Sequence, residues 1–165
     1  MRIAFVLALA ALSPTVAPAQ GLPAAWSVET PKDAPATLVY GAPGAPVLGF
    51  ACVRRTGQVT TRLLIARKLA DHRVGEVWVD AAGVAAPWPA SVAFASGVAS
   101  STLRGQAEAG ELPDVTAVST EISTAAPVIK AFAKTGALTL TSLSETVSPA
   151  PARPGMVRKF LGACK

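Results

Sequence analysis

Cys52 and Cys164 are the only cysteines of the chain, and each falls inside an apolar periodic pattern. Leu48, Phe50 and Cys52 alternate along one face of a strand, with Val47, Ala51 and Val53 on the other; a strand apolar on both faces is expected to be central in a sheet. Met156, Val157, Phe160, Leu161 and Cys164 recur at three- and four-residue spacing, one stripe of a helix from which Arg158 and Lys159 are offset. Both sulfurs should therefore point into one interior. An even cysteine count in an exported chain reads as one disulfide, here closing a loop of about 110 residues. Chain entropy assigns such a closure roughly 5 kcal/mol. The chain has no Cys-x-x-Cys and one histidine, so the thiols read as structural rather than redox-catalytic or metal-binding.

Export is read from the first residues. Met1-Arg2 forms a short positive region, Ile3 to Leu12 is unbroken apolar sequence, and Ser13-Pro14 ends any helix. Ala17-Pro18-Ala19 places small residues where a cleavage site needs them. Residues 1–19 are expected to be a cleavable signal peptide, with residues 20–165 as a single mature domain; an uncleaved N-terminal anchor is the alternative. No cysteine follows the site to carry a lipid anchor, and no later apolar run approaches the ~20 residues of a membrane span. The expected location is the periplasm or the outside of the cell.

Ala, Val, Thr, Ser, Pro and Gly dominate the mature chain, a composition that favours short strands joined by turns. Strands are expected at 26–29, 36–40, 47–53, 59–66, 74–80, 91–95, 98–104, 115–122 and 137–143, with turns at Gly41–Gly44, Thr56-Gly57, Ala82-Gly83, Pro87–Pro89, Gly105 and Gly110–Pro113. Two helices are expected. One covers 125–134, capped by Ser123 or Thr124, with Pro127 in its first turn and Gly136 at its end; the other carries Cys164 at 155–163. The Pro-rich stretch 148–154 reads as a surface connector. The expected fold class is mainly β, an antiparallel sandwich or partly open barrel with two short helices; α+β is the alternative.

The order of these features resembles that of small periplasmic β-sandwich proteins, among them invasion-associated locus B proteins and type VI secretion accessory proteins. The shared elements are Trp26 at the start of the mature domain, the strand Val47-Leu48-Gly49-Phe50-Ala51-Cys52, the Leu138–Leu140 strand after a short helix, and the closing Phe160-Leu161-Gly162-Ala163-Cys164. The Pro-rich connector and the Ala-rich middle depart from the pattern. The resemblance implies a non-enzymatic role in the cell envelope and carries over only Cys52 and Cys164, as a structural bridge.

Charge is segregated along the chain. Arg54, Arg55, Arg62, Arg67, Lys68 and Arg73 face Asp71 alone within residues 53–73, the stretch 74–145 is net acidic, and Arg153, Arg158, Lys159 and Lys165 have no acidic neighbour within 146–165. The six bases of the first block are the candidate footprint for an acidic partner, an envelope protein or an anionic cell-surface polymer; scattered solvated bases on a strand face are the plain alternative. Nucleic acid is set aside because no reader motif is present. Trp78 and the Pro-flanked Trp88 are candidates for stacking on carbohydrate, or else core plugs. His72 is flanked by Asp71, but adjacent side chains on a strand point opposite ways, so no triad is expected. Glu76 and Asp80 could share a strand face, though about 13 Å apart, beyond the usual glycosidase pair. No metal site and no cofactor is read from the sequence. The expected function is a non-enzymatic envelope interaction or accessory module, with carbohydrate or cell-wall binding as the alternative and a hydrolase as the weakest reading.

Overall fold

The computed structural model describes residues 23–112 and 114–165; the expected signal peptide at 1–19 lies outside them. The chain is mainly β. Its strands are β1 (Ala25–Glu29), β2 (Ala36–Ala42), β3 (Ala45–Cys52), β4 (Gln58–Ile65), β5 (His72–Val74), β6 (Val77–Val79), β7 (Trp88–Ser96), β8 (Ala99–Ala109), β9 (Thr116–Ser123), β10 (Thr139–Ser142) and β11 (Glu145–Val147). The helices are α1 (Pro127–Thr135) and α2 (Pro154–Ala163). Nine strands form one antiparallel sheet in the order β1-β2-β3-β4-β9-β8-β7-β10-β11, while β5 and β6 make a separate hairpin.

The sheet curls into a half-barrel. Of the two expected architectures, the partly open barrel is the one observed; among the described residues, no second sheet covers the outer face. Strand alternation sets the two faces. On β4, Val59, Thr61, Leu63 and Ile65 are buried and Thr60 and Arg62 are exposed. On β7, Val92, Phe94 and Ser96 turn inward. Across one end of the barrel, α1 and α2 pack against each other. Val128, Ile129 and Phe132 of α1 and Val157, Phe160 and Leu161 of α2 complete the core. Trp26, Phe50, Phe132 and Phe160 join β1, β3, α1 and α2 in one aromatic cluster, with neighbouring ring centroids 5.8–6.5 Å apart. Trp26 Nε1 also donates to the Ala150 carbonyl at 2.6 Å, so the first edge strand is tied to the connector that follows the last one.

The cysteines form the expected disulfide, with Cα atoms 5.6 Å apart and a sequence separation of 112. Both are buried. Beside the bridge, Gly57 N donates to the Cys164 carbonyl at 3.1 Å and Thr124 N to the Gly57 carbonyl at 2.9 Å. The β3–β4 turn, the entrance to α1 and the end of α2 are thereby held together.

Several local expectations are corrected. The turn expected at Pro87–Pro89 is instead the start of β7, where Trp88 pairs with Ala107 and Pro89 with Gln106. The single strand expected at 74–80 is the β5–β6 hairpin, reversing at Gly75-Glu76 with Val74 paired to Val77. Gly105, expected to break a strand, lies inside β8: it pairs with Thr120, and any Cβ there would run into the Ser119 carbonyl, so the glycine permits close approach of β8 and β9. The short strand β11 was missed because its three residues, Glu145–Val147, are too few to show a period. Neither Ser123 nor Thr124 caps α1. Its N-cap is Ala126 with no side-chain bond, while Ser123 Oγ accepts from Ala125 N at 3.1 Å. Pro127 and Gly136 hold the expected places; Gly136 closes α1 in the left-handed region at φ 72°.

The bridge and the end of α1 can each be probed by substitution. Replacing both Cys52 and Cys164 by Ala should lower unfolding free energy by about 3–5 kcal/mol, read from urea midpoints with and without reductant. Gly136→Ala should cost about 2 kcal/mol or more, because φ is positive and the new Cβ meets the Ala152 carbonyl; thermal melts of the variant give the comparison.

Candidate functional site

The six bases at 53–73 do not form one footprint. β4 runs through the middle of that block, and its length of about 26 Å separates Arg54 and Arg55 at its start from Arg67 and Lys68 beyond its end. Arg62 is midway, on the outer face. Three of the six already serve the protein's own structure. Arg54 donates to the Thr30 and Pro31 carbonyls at 3.3 and 2.7 Å. Arg67 donates to the Leu143 carbonyl at 2.5 Å, tying the exit of β4 to the β10–β11 turn. Arg73 lies over the Trp78 ring, 4.7 Å from its centroid.

Positive charge instead gathers where the two helices meet at the disulfide end. Lys130 of α1, Arg158 of α2 and Lys165 line a hollow of about 330 Å³ with Thr124, Ala133, Leu161 and Gly162. The helix periods explain the convergence. Val128, Ile129 and Phe132 turn into the core, which leaves Lys130 outward; Val157, Phe160 and Leu161 do the same for Arg158. The lining contains no Asp or Glu side chain, and among the described residues the single ion pair, His72–Asp71, is elsewhere. Like charges around a concave, partly apolar wall reinforce one another and raise the local concentration of anions. The β3–β4 turn carrying Arg55 is stitched to the same end through Gly57. The C-terminal basic block was visible in the sequence and contributes Arg158 and Lys165. Lys130 was not singled out, because its neighbours in the chain belong to the acidic stretch.

The aromatic candidates divide. Trp88 is 5% exposed and donates Nε1 to the Val84 carbonyl at 2.9 Å; it plugs the barrel and offers no stacking face, which corrects its reading as a carbohydrate platform. Trp78 is half-buried, packed against the core, with Arg73 on its ring. Glu76 and Asp80 share no strand face, since Glu76 is in the hairpin turn. Asp80 Oδ1 accepts from Ala82 N and Val84 N at 3.0 and 2.8 Å, holding the following loop. His72 Nδ1 lies 3.0 Å from Asp71 Oδ2, contrary to the expectation of opposed side chains, because Asp71 precedes β5 and is free of its alternation. Both side chains are more than half exposed. Among the described residues, no hydrogen bond extends this pair to a hydroxyl or thiol.

No family model, curated protein or solved structure matches this chain.

The plug and the stacked pair are separable by mutation. Trp88→Ala should destabilise by about 3–5 kcal/mol through loss of a buried aromatic, whereas Arg73→Ala should cost about 1 kcal/mol or less. Denaturant titration followed by tryptophan emission distinguishes the two.

Proposed function

We propose that the protein is an exported, non-enzymatic interaction module of the cell envelope that binds an acidic partner, an envelope protein or an anionic cell-surface polymer. The observation that carries this reading is the convergence of Lys130 from α1, Arg158 from α2 and Lys165 just beyond α2 on one hollow whose lining has no Asp or Glu side chain. The leader read at 1–19 and the buried disulfide support an oxidising compartment outside the cytoplasm. Among the described residues, no helix is long and apolar enough to cross a membrane. The resemblance to periplasmic β-sandwich proteins with bracketing cysteines favours the same assignment.

Crosslinking of the tagged protein in living cells identifies the partner, and binding of the purified pair is then measured across a salt series. Lys130→Glu, Arg158→Glu and Lys165→Glu together should weaken binding at least tenfold and flatten its salt dependence. A control with the same change in net charge, Lys32→Glu, Lys68→Glu and Arg104→Glu, should have a much smaller effect. Equal losses in the two triple variants would reduce the interaction to overall charge and remove the hollow as its site.

A further inference from the structure

Strand β3 is apolar on both faces, yet the fold covers only one. Leu48, Phe50 and Cys52 are buried in the core, while Val47, Gly49 and Ala51 look outward from a sheet that has no second layer among the described residues. A hollow of about 450 Å³ lies over this face, within the usual range of small-molecule sites. Register places its parts. Gly49 is the floor, paired with Val39 of β2 on one side and Arg62 of β4 on the other. Val47 and Ala51 flank it along β3, and Leu64 adds a further apolar wall. A Cβ built on Gly49 meets no atom within 4 Å, so the glycine is not required by packing; its missing side chain is what keeps the floor open.

We propose that this hollow binds a single-chain amphiphile with an anionic head, its tail over Gly49 and its head on Arg62. From β2 to β4 is about 10 Å and from Val47 to Ala51 about 13 Å, the reach of an extended tail of about ten carbons. Arg62 has no carboxylate partner among the described residues, and its planar guanidinium suits a carboxylate head. The outer face also limits what can dock. Glu29 is opposite Thr37, Glu121 is opposite Thr60, and Glu108 lies two strands from Leu64 through Ala117. Glu29 and Glu121 stand at the two ends of the row through Ala51, and Glu108 at one end of the row through Leu64, charges that disfavour the apolar core of a protein interface there. They also repel an extended anionic surface such as a bilayer, while one small head can be held on Arg62 alone. The site is separate from the basic hollow between the helices, and neither depends on the other.

The test is calorimetric titration of the exported, purified protein with dodecanoate below its micellar concentration. One saturable site is expected. Gly49→Leu should fill the hollow, weaken dodecanoate at least tenfold and leave the thermal midpoint unchanged or raised. Arg62→Gln should weaken dodecanoate about tenfold but leave dodecanol binding intact. Absence of saturation, equal affinity in Gly49→Leu, or association only with anionic vesicles would overturn the proposal.

Discussion

The bond between Cys52 and Cys164 joins the two parts of the molecule that would otherwise be least secure together. A half-barrel leaves its interior open at one end, and α1 and α2, of nine and ten residues, are too short to be stable alone. Their helicity depends on burying Phe132 and Phe160 against Phe50 and Trp26. The disulfide anchors the far end of α2 directly to the strand bearing Phe50. Gly57 then bonds to Cys164 on one side and Thr124 on the other, so the same fixed point organises the entrance to α1. The covalent link and the aromatic cluster act on one contact, the first mainly by limiting the unfolded chain and the second by burial.

Closure of the opposite side is non-covalent. β1 and β11 are both edges, and an exposed edge is a template for unwanted pairing. β11 is only three residues long, and the Trp26–Ala150 hydrogen bond fastens the post-β11 connector beside β1. Proline at 149 and 151 suits that connector to an edge, since neither supplies a backbone N–H for further strand addition. Arg67 and Thr116 brace the end away from the disulfide in a similar way. Thr116 Oγ1 bonds the Arg67 carbonyl while the Arg67 guanidinium reaches Leu143. A side chain that looked like binding charge is thus part of the frame.

What was legible in the sequence follows the range of the forces involved. The mainly-β class, both helices and the Cys52–Cys164 pairing came from alternation and helical stripes, which are local patterns forced by burial. The 74–80 error came from the same rule, because Val74, Val77 and Val79 do not reveal that Gly75 reverses the chain between them. Gly105 misled for a complementary reason: its role is set by Ser119, a strand away. The basic site was only half visible. Charge was summed along the chain, which favoured 53–73, but β4 carries those residues to opposite ends of the barrel. The fold meanwhile brings Lys130 beside Arg158 and Lys165 from a segment whose net charge is negative. Proximity between α1 and α2 depends on tertiary packing and is not written in either segment.

The two surfaces left unexplained by stability arise differently. Helix positions facing away from a core are solvated whatever residue they hold, so placing cations at 130 and 158 costs the fold little. The outer face of β3 is another matter. An alternating strand with one wet face normally carries polar residues there, as Thr60 and Arg62 do on neighbouring β4. Val47 and Ala51 break that rule, and Gly49 sacrifices strand propensity at the centre of the face. Leu48, Phe50 and Cys52 already supply what β3 gives the core, so burial within this domain does not account for the apolar residues between them. A contact outside the domain accounts for both departures at once: apolar walls to receive a hydrophobic group, and an absent side chain to make room for it.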